Sequence, residues 1–319
     1  MDAPISDPAR TGPAAASAVP RGGGGFASLP GTSPMQRAAG RVRVTVASDG
    51  TRTRLRDLHQ SGCLKLRLPR VTGAVPEGVL INTSGGLTGG DGLRIEAHVG
   101  ANGLLALASQ TAERLYRSTG GAANVAVSLR ADEDARLSWL PQETIAFEGS
   151  ALRRTLEVEL APSARFLAVE SVCLGRLAMG ERVERATLRD DWRVRVDGTL
   201  VHAEALRLGP EIGAWLARRG AGAPDGTQSA AFATVLSIAP EAPGLVAEAR
   251  VIAGRGEILA AVDAWKEGTP RLVARLLAPD GFTLRRTLVP LLAHLHARLH
   301  GLDCPVDRQE AALPAVWSL

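Results

Sequence analysis

Aromatic side chains are scarce in this chain: one tyrosine, five phenylalanines and five tryptophans among 319 residues, or 3%. A core must therefore be built from Leu, Val and Ala, within a hydrophobic fraction of 45% that is ordinary for a globular protein. Few rings are available to stack on bases, and the arginines are scattered, so nucleic acid is not expected as a partner. Lysine is nearly missing. Lys65 and Lys266 are the only two, and arginine carries the net charge of +4. We read that excess as genome base composition rather than as a surface for an anionic partner. The three cysteines, Cys63, Cys173 and Cys304, are odd in number, widely spaced and form no C-x-x-C pair. That argues against a disulfide framework and a structural zinc site. No run of ~18 apolar residues occurs, and no basic segment leads into an apolar one at the start. The expectation is a cytoplasmic protein with no membrane partner.

Several chemical motifs are missing as well. No glycine-rich loop ends in the Lys-Ser/Thr of a phosphate cradle, G-x-S-x-G is absent, and so is H-E-x-x-H. Ser84 lies among glycines without a histidine signal nearby. No nucleophile, base and orienter line up, so an enzyme is poorly supported and no tightly bound cofactor is expected.

What is present is alternation. Arg41 to Val46 places Val42, Val44 and Val46 on one face and arginines and Thr45 on the other, the pattern of a half-buried strand. Leu93 to Val99 repeats it, as do Val125, Val127 and Leu129, and then Leu156, Val158 and Leu160. Trp192 to Ala203, with Asp197-Gly198 in the middle, predicts a hairpin on a two-residue turn. Further apolar runs lie at Ala233 to Ile238, Leu245 to Ile252 and Ile258 to Ala264. Helical spacing is rarer. Gly209 to Arg219 carries Ile212, Trp215 and Leu216, with Pro210 suited to a first turn and Gly220 after the end. Leu288 to Leu302 shows one leucine stripe. Arg271 to Leu277 fits helix and strand equally. Many short strands with few, late helices predict an all-β dominated fold with a few α-helices, one near the C-terminus. No repeat of fixed period is visible. Residues 1–40, rich in Gly, Ala, Pro and Ser, predict a disordered tail before one domain over 41–319; Gly220 to Gly226 reads as a loop within it.

The candidate functional residues are acids beside turns or apolar runs. Asn82 to Gly92 holds five glycines and ends beside Asp91. The segment after it has strand period, so the loop does not open a helix as a nucleotide cradle would. Asp91 fits either a turn-capping aspartate or a metal contact. Glu143 lies in L-P-Q-E-T-I-A-F-E, between Leu140 and Ile145, and could equally pair with an arginine. Glu170 precedes Leu174 to Glu181, L-G-R-L-A-M-G-E, which ends on Glu181. Carboxylates of this kind suit hard or borderline divalent cations. His296 and His300 are four apart, the spacing of a two-histidine metal site, but with His294 they are expected on a solvent-facing flank of the leucine stripe.

Taken together and in order, N-T-S-G-G-L-T-G-G-D at Asn82, S-Q-T-A-E-R-L-Y-R-S at Ser109, W-L-P-Q-E-T-I-A-F-E at Trp139 and L-G-R-L-A-M-G-E at Leu174 resemble the UreD (UreH) family of urease accessory proteins. The ending is also similar: R-L-V-A-R-L-L-A at Arg271, a helix, then L-P-A-V-W, where Ala315 replaces the family's usual arginine. The resemblance spans about residues 41–319. It implies strands stacked in a helical, β-helix-like arrangement. It implies a non-enzymatic scaffold that binds apo-urease and recruits UreF and the GTPase UreG, with nickel in transit to the urease active site through an internal passage. Glu143 and Glu181 match acidic positions of two family motifs, and Glu113 sits in a third. Asp91 and Glu170 complete the set expected along that passage. Carboxylates and water release a passing ion, whereas a His/Cys cage would retain it. The competing expectation is a metal-dependent hydrolase using the same acids.

Overall fold

Residue parity along the strands sets the architecture. The computed structural model describes residues 36–69, 75–176, 179–214, 216, 230–254, 258–302 and 312–317. The strands run β1 (Ala39–Ser48), β2 (Thr53–Gly62), β3 (Leu64–Arg67), β4 (Glu77–Asn82), β5 (Gly92–Val99) and β6 (Leu104–Ser109). They continue as β7 (Glu113–Leu115), β8 (Ala123–Ala131), β9 (Arg136–Leu140), β10 (Thr144–Ala146), β11 (Ser150–Leu160) and β12 (Arg165–Leu174). Then come β13 (Ala186–Val196), β14 (Thr199–Leu208), β15 (Ala231–Ile238), helix α1 (Val246–Ala253), β16 (Leu259–Trp265), β17 (Arg271–Ala278) and helix α2 (Gly281–His300).

Strands β1, β5, β8, β11 and β13 lie parallel in a seven-stranded sheet, closed at its two edges by antiparallel β2 and β14. Strands β4, β6, β9 and β12 lie parallel in a second sheet of ten strands, extended antiparallel by β3 on one side and by β15, β17 and β16 on the other. The chain passes between the sheets again and again, so each visit to both is one coil of a β-solenoid. A narrow third side forms where β7 pairs with β10, β10 with β12, and Leu87 bridges to Leu115.

Inward residues stack in register across coils. Val42, Ile95, Val127, Leu156 and Trp192 form one buried row, and Val44, Ala97, Leu129, Val158 and Val194 the next. Each large apolar side chain so buried contributes about 1.5–3 kcal/mol. Coil length varies: Gly92 aligns with Asn124, Ala123 with Leu152, and Ser150 with Ala186. The spatial repeat therefore leaves no fixed period in the sequence. The hairpin between β13 and β14 turns at Asp197 and Gly198, both at positive φ, as a two-residue loop with right-handed strand twist requires.

The second sheet is covered on its far side by α2. Leu167, Val169, Ala233, Val235, Ala274 and Leu276 form with Leu288, Leu291, Leu292 and Leu295 a core separate from the solenoid interior. Asp280 caps α2, its Oδ1 accepting the Thr283 amide at 2.7 Å, and Gly301 ends it at φ 64°.

Four sequence expectations change. The apolar run Leu245 to Ile252, grouped with the strands, is a short 3-10 turn leading into α1, after Pro243-Gly244 and before Gly254. Arg271 to Leu277 is strand, paired on both sides. Helix begins at Ile212 rather than at Pro210, while Trp215, residues 217–219 and the loop Gly220 to Gly226 lie outside the described residues. His294, His296 and His300 are not solvent-facing; all three are buried, because α2 is enclosed on more of its circumference than a single stripe. The expected tail falls almost wholly outside the described residues, and β1 takes in Ala39 and Gly40. Residues Arg37–Leu319 form one unit.

Candidate functional site

Two charged residues break the inward apolar rows. In β11, Arg154 falls on the same parity as Leu152 and Leu156, and in β13 Asp190 falls between Leu188 and Trp192. They are register partners. Facing them from β12 is Glu170, which shares the lumenal parity of Ala168 and Val172. All three side chains are buried. Arg154 Nη2 donates to Asp190 Oδ2 at 2.6 Å, and Nη1 contacts Glu170 Oε2 and Thr144 Oγ1. Trp139 Nε1 donates to the other Glu170 oxygen at 2.9 Å.

One guanidinium thus serves two buried carboxylates. Burial raises the Glu170 carboxyl, Arg154 opposes that rise and Asp190 adds to it. For Arg154 burial works against the charge, but the two carboxylates prevail and keep it protonated.

Arg154 and Glu170 line the inner end of a cavity of about 130 Å³. Its wall toward the third side carries Glu113, Asn82, Gly85 and Gly86. Asn82 Nδ2 lies 3.1 Å from both oxygens of Glu113. Burial pushes the Glu113 carboxyl up to about 7, with the Asn82 contact opposing. The glycine loop is built for this wall. At Gly86, φ is 147°, and a Cβ would lie 2.5 Å from the Tyr116 ring and 2.7 Å from the Arg114 carbonyl.

The five expected acids therefore separate. Glu113 and Glu170 share the cavity; Asp91, Glu143 and Glu181 do not line it. Asp91 is buried, but its two oxygens accept the amides of Ala38 and Thr88 at 2.8 Å each, which ties the glycine loop to β1. Glu143, in the loop between β9 and β10, lies 3.4 Å from Arg285 of α2. Glu181 accepts from Arg176 Nε at 2.8 Å; burial alone would raise it, but Arg176 and two backbone amides hold it below the usual range. Sequence reading missed Arg154 and Asp190, although a charge at inward parity in an otherwise regular strand was the signal. Among the described residues, no three His, Cys, Asp or Glu side chains gather as a metal-holding group.

The four motifs meet on the third side. Tyr116 packs edge-on against Phe147 at 5.2 Å, the Arg176 guanidinium lies 4.5 Å over Phe147, and Tyr116 Oη donates to the Gly85 carbonyl.

The histidine pair forms a second buried polar group on the other face of the same sheet. Ser138 Oγ lies 2.9 Å from His296 Nδ1 and 2.9 Å from His300 Nε2. Burial depresses His296 to about 4 and His300 well below its ordinary value, with His296 and Arg136 adding to the latter. Both rings are neutral at pH 7. Among the described residues, no helix is long and apolar enough to cross a membrane.

The molecule is thus a two-sheet β-solenoid with a charged, cavity-bearing interior and sequence motifs gathered on one narrow side. A sequence model described as "UreD urease accessory protein" matches residues 38–315, and the chain belongs to that family. It is similar to the urease accessory protein UreD of Chelativorans sp. (strain BNC1), 46% identical over 287 residues, covering 90% of this chain and 96% of that protein. UreD of Mesorhizobium japonicum is 44% identical over 285 residues, covering 89% and 95%. UreD 1 of Brucella anthropi is 45% identical over 288 residues, covering 89% and 95%.

Proposed function

We propose that this chain serves urease maturation as a non-catalytic cytoplasmic scaffold that binds apo-urease, recruits UreF and UreG, and passes nickel toward the urease active site. The observation that carries the passage is the lumenal cavity lined by both Glu113 and Glu170. A few carboxylate oxygens, without a nitrogen or sulfur cage, hold a borderline divalent cation weakly enough to release it. Around Arg154 the anions outnumber the cation, Glu170 and Asp190 against one guanidinium, while Glu113 and Arg114 balance each other on the cavity wall. Asp91, Glu143 and Glu181 belong to this reading as supports, since their oxygens already answer backbone amides or arginines. The tail, residues 1–40, stands outside it.

The test is purification of the full-length chain with the urease subunits and accessory proteins of its own cell, followed by nickel analysis of the urease. Co-purification of a complex that loads urease with nickel is expected. A chain that binds none of these partners, or that turns over a substrate by itself, would overturn the scaffold reading.

A further inference from the structure

Arg154 stands where a passing cation would be held most strongly. Its guanidinium touches Glu170 and Asp190 together, and its Nη1 also meets Thr144. The fit is incomplete. Arg154 Nε and Asp190 Oδ1 are buried and have no hydrogen-bond partner among the described residues. A buried arginine retained only for stability would satisfy its donors and match its charges. Here one cation is shared by two anions, one of which has an oxygen left over, and Arg154 itself lines a cavity of about 130 Å³, which has room for a displaced side-chain head.

We propose that Arg154 is an exchangeable counter-ion, a resident cation that holds the Glu170–Asp190 pair and yields it only briefly to a divalent metal. This rests on the nickel-passage reading and adds a reason why such a passage does not become a trap. Two adjacent buried carboxylates with no resident cation would retain a divalent ion. With Arg154 in place, metal must displace the guanidinium to enter, and the guanidinium's return expels it. Affinity is thereby kept low without removing the oxygen donors.

The test is nickel(II) binding to the full-length chain, measured by competition with a chromophoric chelator, alongside thermal unfolding with and without nickel. Arg154→Met is expected to bind nickel at least about ten-fold more tightly than wild type, since it frees a buried pair of carboxylates. Its unfolding temperature should rise on adding nickel, while that of wild type should not. Adding Glu170→Gln to Arg154→Met should cancel the gain. Should Arg154→Met fail to fold with or without nickel, Arg154→Lys decides, because a shorter ammonium reaches one carboxylate at a time and should still tighten nickel binding several-fold. Unchanged affinity in a folded Arg154→Met or Arg154→Lys protein would overturn the proposal, as would a gain that survives Glu170→Gln. Neither result would touch the passage reading, which is judged by nickel delivered to urease.

Discussion

Strand β9 divides two buried polar groups that differ in kind. Ser138 points from it toward α2 and meets His296 and His300; Trp139, the next residue, points into the solenoid and meets Glu170. The histidine group is neutral and packed into a leucine core. The lumenal group is charged, unevenly matched and adjoins a cavity. Burial disfavours charge in both places, and each site meets this differently. The first gives up its charge and becomes structure. The second sets one guanidinium against two carboxylates, so that burial raises the Glu170 carboxyl while Arg154 opposes the rise.

That contrast can be broken by substitution and by pH. The largest expected effect is Arg154→Met without metal, which leaves two buried carboxylates uncompensated; a loss of about 3–5 kcal/mol is expected in urea unfolding at neutral pH. Next comes acid. His296 titrates near 4 in the fold against 6.5 in the unfolded chain. Between those values the unfolded chain binds more protons, so stability contributed by the neutral ring is complete above pH 6.5 and is lost as pH falls toward 4. For this one ring the loss approaches about 3 kcal/mol, and unfolding midpoints at pH 7, 5.5 and 4 measure it. Ser138→Ala removes the hydroxyl shared by both rings and should cost about 1–3 kcal/mol at pH 7. Asp280→Ala, which removes only the α2 cap, should cost about 1 kcal/mol. Glu170→Gln should change stability least. Its one amide oxygen can accept from Trp139 or from Arg154 but not from both, a loss offset by leaving Arg154 and Asp190 as a balanced pair, so a shift within about 1 kcal/mol is expected.

The two sheets were unequally legible. β1, β5, β8 and β11 expose one face, so their alternation could be read residue by residue. β12 is buried on both faces, between the lumen and α2, and shows no alternation from Phe166 to Val172. The run at Leu245 resembled its strand neighbours because its apolar residues are near-continuous, although Pro243-Gly244 and Gly254 frame a helix. The histidines were misplaced because helical spacing identifies the most buried face of α2 without showing how far burial extends around it. Of the five acids, motif matching named Glu113 and a single acid after an apolar run named Glu170, and these two line the cavity. Asp91, Glu143 and Glu181 matched equally well but meet backbone amides or arginines elsewhere, since sequence shows that an acid is enclosed and not which partners enclose it. Arg154 and Asp190 needed only the parity of β11 and β13.

Nickel loaded into urease by a complex carrying Glu170→Gln tests the passage most directly. Reconstitution would use purified apo-urease, UreF, UreG, GTP, bicarbonate and nickel, with complex assembly checked by size exclusion and nickel counted per urease active site. A fully assembled complex with a stably folded Glu170→Gln chain and several-fold slower nickel loading is the predicted result. Loading at the wild-type rate by Glu170→Gln, and again by Glu113→Gln with Glu170→Gln, would contradict a route through this cavity.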